Sequence, residues 1–401
     1  MPTATPVCRS NSSVGHEAMS ASAHSSTSAA PPGLPKRPLP GPYFPLQGLR
    51  VIEFCWVWAG PALGQFLADL GAEVIKVEWY DRTDSYRTRG IELLRGKAPP
   101  ELYREMSHTF HSLNRNKVGF TVNLKEPDGV DLVKQLAKHS DLVIENWSHG
   151  TLERLGVGYK ALKEANPQLV MLSLSAFGPS SRLAAMRSYG LVTSALGGAE
   201  AQLKVDGEFV GSPTFNVSDP NAALFGLVGG LAALLEARAS GRGGNLVVSQ
   251  LEAVMSLMQG DAGEGADPMV HGVFETSEGK HVALSVPAHG TAADLAALAK
   301  VSTVEKIIAT VTALGGHGAE VISVIDTPQS PVFSDLETLI ATEHPVTGRE
   351  DVIAAPWRIN GRRAPVRKTA PLLGEGNDHV LRNILGLSDE VIRQLKERKV
   401  V

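Results

Sequence analysis

The segment LQGLRVIEFCWVWAGPALGQFLADLGAEVIKVEWYD, residues 46–81, sets the architecture. RVIEF (50–54) is rich in β-branched and aromatic residues and predicts a strand. PALGQFLADLG (61–71) predicts a helix, with Pro61 in the first turn, where a missing N–H is no loss, and Gly71 at the end. AEVIKVEW (72–79) predicts a second strand, completing a βαβ unit. Working outward, GFTVNLKEPDGVDLVKQLAKHSDLVIENW (119–147) and TLERLGVGYKALKEANPQLVMLSLSAFG (151–178) repeat the alternation. Alternating elements with right-handed crossovers imply an α/β class with a parallel sheet covered on both faces. PNAALFGLVGGLAALLEAR (220–238) predicts a long helix, whose Gly226, Gly229 and Gly230 suit close packing, and NLVVS (245–249) another strand. A composition shift at AGEGADPMVHG (262–272) marks a boundary. Beyond it come a hairpin in GVFETSEGKHVALSVP (272–287), helical TAADLAALAK and VEKIIATVTALG, and a final loop with two helical portions.

The 401 residues, 43% hydrophobic, suffice for one or two α/β domains. With 38 basic against 42 acidic residues, the net charge of -4 gives no general attraction to nucleic acid or an anionic membrane, so neither is expected as a partner. The cysteines, Cys8 and Cys55, form no disulfide or metal framework, and a cytoplasmic setting is expected. No run of about 18 uninterrupted apolar residues predicts a membrane span. Residues 1–45 are rich in Ser, Ala, Pro and Thr and are expected to form a flexible tail.

Among groups that could carry chemistry, Asp219 in FNVSDPNAALFGL (215–227) stands directly before Pro220 and the long helix. Taken alone, Ser218 or Asp219 reads first as an N-cap, whose oxygen satisfies exposed backbone donors, and Asp219 second as a nucleophilic carboxylate kept ionised by the positive helix end. No G-x-G-x-x-G, G-x-x-x-x-G-K-[ST] or G-x-S-x-G stands in the required context, which argues against a plain dehydrogenase, a nucleotide hydrolase and a serine hydrolase. His108 and His111 could share a helix face but lack a third ligand in the sequence pattern, so no metal site is expected. Arg358, Arg362, Arg363, Arg367 and Lys368 read as a solvated loop before a phosphate site.

In order and spacing, VIEFCWVWAGPALGQFLADLGAEVIKVE, NRNKVGFTVNLKEPDG, DLVIENWSHGTLERLGVGYKALKEANPQLV, SDPNAALFGLVGGLAALLEARASGRGGNLVVSQLEA and PWRINGRRAPVRKTAPLLGEGN resemble the family III CoA-transferases (CaiB/BaiF-like), from Leu46 to Val401. The resemblance implies a large Rossmann-like domain and a smaller α/β domain in an interlaced dimer: 46–260 the first part of the large domain, 261–340 the small domain and linkers, 341–401 the return to the large domain. It places the catalytic aspartate at Asp219, and the CoA pocket at Ala59, Gly60, Pro61, Asn146, Trp147 and Arg154. It implies no tightly bound cofactor, with CoA and acyl-CoA as substrates. Departures at Trp58, Ser175 and Ala223, and the absence of a glycine-rich lid around 260–272, tell against the formyl-CoA branch. EWYDRTDSYR, LNRNKVGFTVNL and RSYGLVTSALGG look more like the succinyl-CoA:benzylsuccinate branch. That branch implies succinyl-CoA as donor, (R)-benzylsuccinate as acceptor, and a homodimer or a heteromer with a homologous subunit. Trp56, Trp58, Tyr86 and Trp147 would face the aryl group. Two alternatives stay open: a non-catalytic structural subunit of a heteromeric transferase, and an acyl-CoA racemase.

Overall fold

The computed structural model describes residues 44–94, 96–202, 204–205, 208–209, 216–258, 269–287, 295–323 and 325–401. The expected tail therefore lies almost wholly outside the described residues, as do residues 262–268 of the expected boundary.

Six parallel strands form the main sheet: β1 (Arg50–Phe54), β2 (Glu73–Glu78), β3 (Lys117–Thr121), β4 (Leu142–Glu145), β5 (Val170–Ser175) and β8 (Asn245–Ser249). Two-residue strands β6 (Lys204–Val205) and β7 (Glu208–Phe209) pair only with each other. The main order is β3-β2-β1-β4-β5-β8, so the chain starts in the middle, builds one half outward, and returns to build the other. This is the doubly wound order, and it leaves a crevice at the C-terminal ends of β1 and β4, where the direction of winding reverses.

The helices in this part are α1 (Ala59–Asp69), α2 (His108–Asn114), α3 (Pro127–Lys138), α4 (Thr151–Arg154), α5 (Tyr159–Ala165), α6 (Gly190–Leu196), α7 (Ser218–Ser240) and α8 (Gln250–Leu257). Successive strand residues face opposite layers, so β1 sends Val51 to one core and Ile52 to the other. On one face Ile52, Ile75 and Phe120 meet Leu132 and Leu136 of α3 and the C-terminal Val380, Ile392 and Val400. On the other, Val51, Ile144 and Leu172 meet Leu63 and Leu67 of α1 and Ala222 and Ala223 of α7. Helix α7 has 23 residues and a mean hydropathy of 1.5 over its most apolar window, long and apolar enough by composition to cross a membrane. Its small residues instead pack on the sheet: a methyl at Gly226 would press on Leu63 and Leu174, and one at Gly230 on Leu172. These glycines allow close approach, as the sequence suggests.

A second core lies under the antiparallel sheet β11-β10-β9, with β9 at Met269–Glu275, β10 at His281–Pro287 and β11 at His317–Glu320. Here Val282, Leu284 and Val286 pack on α9 (Leu295–Lys300) and on Ile307 and Val311 of α10 (Val304–Ala313). After α11 (Pro331–Asp335) comes the hairpin β12 (Leu339–His344) and β13 (Gly348–Ile353), then the short pair β14 (Arg358–Ile359) and β15 (Arg362–Arg363). A π-helical turn at His379–Ile384 and α12 (Asp389–Glu397) end the chain.

Candidate active site

A cleft of about 930 Å³ opens where the doubly wound order predicts it. Its walls come from the residues that follow five strands: Trp56 to Trp58 after β1, Asp81 and Arg82 after β2, Asn123 to Lys125 after β3, Asn146 to His149 after β4, and Ala176 to Gly178 after β5. Residues 184–189 add a further wall, and Asp219 and Gln250 complete the lining. Arg82, Lys125, Arg154 and Arg187 are exposed along it, so the mouth favours an anionic ligand.

Asp219 is only 8% exposed. Helix α7 begins at Ser218, with Val217 as a cap residue that uses no side chain, and Asn216 Oδ1 accepts from the Ser218 N–H at 3.1 Å. Asp219 therefore sits inside the first turn, and the expected capping role is corrected. Because the helix starts earlier than the Pro220 signal suggests, the carboxylate turns away from its own helix. It accepts from Gln250 Nε2 at 3.1 Å, from Asn216 Nδ2, and from the backbone N–H of Ala59. Burial pushes its pKa above the usual aspartate value, while these three hydrogen bonds pull it back. All three donors are uncharged, and among the described residues no cation opposes the burial. Gly190 leaves room for this arrangement, since a methyl there would overlap Asp219 Oδ2 and Asn216 Nδ2.

The sequence-derived pocket residues fall into distinct roles. Ala59, Gly60 and Pro61 are the buried first turn of α1 and do not line the cleft, although the Ala59 N–H reaches Asp219. A methyl at Gly60 would collide with Cys55 and crowd the Asn146 amide, which explains glycine there. Asn146 lines the cleft, but its amide is committed: Oδ1 accepts from Trp56 N at 2.9 Å and Nδ2 donates to Trp56 O at 2.8 Å. It clasps the loops after β1 and β4 together across the switch point. Trp147 packs on Phe54 and Trp56, with ring centroids 5.7 and 5.2 Å away. Among the described residues, the buried indole N–H groups of Trp56 and Trp147 have no hydrogen-bond partner. Arg154 is exposed and touches Thr151 Oγ1 at 2.9 Å, so its guanidinium can still reach a ligand. Trp58 also lines the cleft, whereas Tyr86 is buried beside Phe110 and accepts from Arg89 at 3.2 Å.

Val57 holds φ at 71°, a left-handed conformation that a β-branched residue resists. Its N–H is held by Asp84 Oδ1 at 2.9 Å, and that oxygen also accepts from Tyr86 N at 3.0 Å. The other Asp84 oxygen meets Lys76 Nζ at 3.0 Å, joining the cleft wall to a buried ion cluster. In that cluster Glu53 lies 3.1 Å from Lys76 and 2.8 Å from Lys117. Glu145, at the end of β4, is pushed up to about 7 by burial, against a hydrogen bond from Ser173 and the Trp147 N–H at 2.8 Å.

Arg358, Arg363, Arg367 and Lys368 do not line the cleft. Arg358 binds Glu337, Arg363 the Leu336 carbonyl, Arg367 the Ala68 carbonyl, and Lys368 the Glu375 carboxylate. Gln250, Asn216 and Gly190 had escaped the sequence reading. Gln250 is placed by Ser249, which caps α8 by accepting from Glu252 N, and that capping pattern was the one available signal.

The sequence profile of CoA-transferase family III matches residues 46–300. The chain belongs to CoA-transferase family III. It is 28% identical over 406 residues to the succinyl-CoA–D-citramalate CoA-transferase of Chloroflexus aurantiacus, covering 89% of this chain and 98% of that protein. The succinyl-CoA–L-malate CoA-transferase beta subunit of the same organism is 28% identical over 411 residues, with 89% and 98% coverage. A CaiB/BaiF family crystal structure from Brucella suis superposes with a TM-score of 0.72 at 23% identity, over 86% of this chain and all of that one, and supports the fold. This family III member is an enzyme that transfers CoA.

Proposed function

We propose that Asp219 is the nucleophile of a CoA transfer from succinyl-CoA to a dicarboxylic acid. One observation carries the reading: of the two buried carboxylates that line the cleft, Glu78 is paired with Arg87, whereas Asp219 is held by three neutral N–H donors. The relatives named for succinyl-CoA support the choice of donor.

In this reading an Asp219 oxygen attacks the thioester carbonyl, the C–S bond breaks, and CoA leaves as thiolate from a mixed succinyl–aspartyl anhydride. The thiolate then attacks the Asp219 acyl carbon, giving an aspartyl–CoA thioester and free succinate. The acceptor carboxylate attacks that thioester and expels the thiolate, which attacks the acceptor acyl carbon of the new anhydride and regenerates Asp219. Each step exchanges one acyl bond for another, so no ATP is consumed. The Ala59 N–H at the start of α1 and the Gln250 amide are placed to stabilise oxyanions on the Asp219 side. The exposed Arg82, Lys125, Arg154 and Arg187 would meet CoA phosphates and the remote carboxylate. Trp56, Trp58 and Trp147 supply apolar wall, which fits the aryl group of (R)-benzylsuccinate, and Ala59, Gly60, Pro61 and Asn146 shape the pocket from behind.

The separate antiparallel core and the C-terminal packing on the main sheet support large-domain parts at 46–260 and 341–401 around a small domain at 261–340. Self-association, as a homodimer or with a homologous chain, is favoured by the exposed apolar side of α7, where Phe225, Val228 and Leu235 are 46%, 70% and 61% exposed.

The test incubates the full chain with succinyl-CoA or, separately, formyl-CoA and a panel of acids: (R)-benzylsuccinate, D-citramalate, L-malate, glutarate and oxalate. Mass spectrometry of every CoA product and of the peptide containing Asp219 reads the result. A CoA adduct on Asp219 and acceptor thioester are expected. Exchange without any adduct, or with formyl-CoA alone as donor, overturns the proposal.

A further inference from the structure

We propose that His108, His111 and Glu350 form a zinc site separate from the cleft. None of the three lines it. His108 and His111 stand three apart on α2, so their rings leave the same face. Glu350 reaches them from β13, 239 residues away from His111 in sequence. His111 Nδ1 lies 2.8 and 3.0 Å from the two Glu350 oxygens, and His108 Nδ1 lies 3.4 Å from Oε1. The three ligand atoms fall within 4.8 Å of one another. A tetrahedral zinc with bonds of about 2.0–2.1 Å separates its ligand atoms by roughly 3.3 Å. The nitrogen–oxygen spacings already bracket that value, and the His108 side chain, 78% exposed, can turn to close the nitrogen pair.

The hydrogen bonds of His111 favour a cation. Its Nε2 faces the Glu105 carbonyl at 3.1 Å, which can only accept, so Nε2 carries a hydrogen. In the neutral ring Nδ1 is then a lone pair aimed at a carboxylate, a contact between two acceptors. A proton or a metal ion must stand between them. A proton on Nδ1 would satisfy His111 alone, whereas a metal ion takes His111, His108 and Glu350 together. The surroundings match what metal-binding side chains require: the remaining N–H of His111 is fixed by a backbone carbonyl, and Glu350 accepts from the Thr347 hydroxyl. The ring of His344 lies against that of His111, with centroids 4.0 Å apart, and limits its rotation. Two imidazoles, one carboxylate and an open solvent-facing position suit zinc better than magnesium or calcium. The ion would staple α2 to the β12–β13 hairpin, whose strands pair only with each other.

The test uses tag-free full chain, stripped with EDTA, titrated with Zn²⁺ against a chromophoric chelator and separately with Co²⁺ to read coordination from visible absorption. One equivalent of zinc, a four- or five-coordinate cobalt spectrum and a melting temperature that rises with added zinc are expected. His108→Ala, at an exposed position, should bind at least about tenfold more weakly and lose the zinc-dependent rise, because removing a ligand costs no less than removing its support. Glu350→Gln should behave alike, and His317→Ala, an exposed histidine elsewhere, should bind like the parent chain. Failure to bind one equivalent, or binding undiminished in His108→Ala, overturns the site.

Discussion

Beneath β1, Glu53 lies fully buried between two ammonium groups, Lys117 and Lys76, while at the start of α7 the buried Asp219 has only amide N–H donors around it. The two carboxylates meet the same physical problem, a charge removed from water, and solve it differently. Glu53 is neutralised by full charges, which makes it part of the frame. Asp219 has only dipoles to offset its burial, which leaves it higher in energy and, among the described residues, outside any ion pair. Each has a glycine against it: a methyl at Gly64 would overlap Glu53 Oε2, as one at Gly190 would overlap Asp219 Oδ2. Pairing makes a buried carboxylate structural, and the withholding of a cation leaves one available for chemistry.

The sharpest way to break this contrast is Asp219→Asn. If Asp219 is the proposed nucleophile, its loss should lower turnover by roughly 10⁴-fold or more. Stability near neutral pH should not fall, because an ionised group whose folded pKa is raised costs stability once pH exceeds the unfolded value. By linkage that cost grows as pH rises from the ordinary aspartate range through the raised folded value, and is absent below both. Steady-state kinetics and denaturant melts at several pH values check both halves, and near-native turnover would remove Asp219 from the mechanism.

Lys76→Met should do the converse. It strips Asp84 and half of Glu53 of their partner in a fully buried place, and should cost about 3–5 kcal/mol in equilibrium unfolding. A loss under about 1 kcal/mol would mean the cluster is not the frame.

The two glycines sharpen the comparison next. Gly64→Ala and Gly190→Ala should each introduce strain of about 1–3 kcal/mol. In the first, the loss should appear in stability with specific activity of the folded fraction retained. In the second it should appear chiefly in kcat. Equal effects on both measurements would erase the distinction.

The smallest effect concerns Gln250→Ala. Its amide lowers the Asp219 pKa, so its removal should move the acid limb of kcat/KM to higher pH and reduce the plateau about tenfold or more. Glu145, pushed up to about 7 by burial, adds a titration of its own, so the shift is read in a Glu145→Gln background. An unmoved limb would show that Asp219 does not control it.

The doubly wound half was legible because short, largely apolar strand runs alternate there with helices punctuated by proline and glycine, as at Pro61 and Gly71; residues 50–54 and 59–69 fold nearly as their periodicity suggests. The hairpin β12–β13 was not, since LIATEH and GREDVI group their apolar and polar residues instead of alternating them, and few of these side chains are buried. Asp219 could be singled out by its place before Pro220, but Asn216 and Gln250 have no local mark of function. Their amides matter only because α7 and α8 bring them together. In the same way the histidine pair on α2 was visible, while Glu350 became its neighbour only through tertiary folding.

Asp84 belongs to both regions, with one oxygen on Lys76 in the ion cluster and the other fixing Val57 in the cleft wall. The wall's unusual backbone is thereby anchored in a fully buried ion cluster. On warming, the cleft wall has no independent way to loosen ahead of its foundation. Inactivation and unfolding should trace one curve, and an effort to lengthen the enzyme's working life would gain more from reinforcing the interior beneath β1 than from rigidifying the rim.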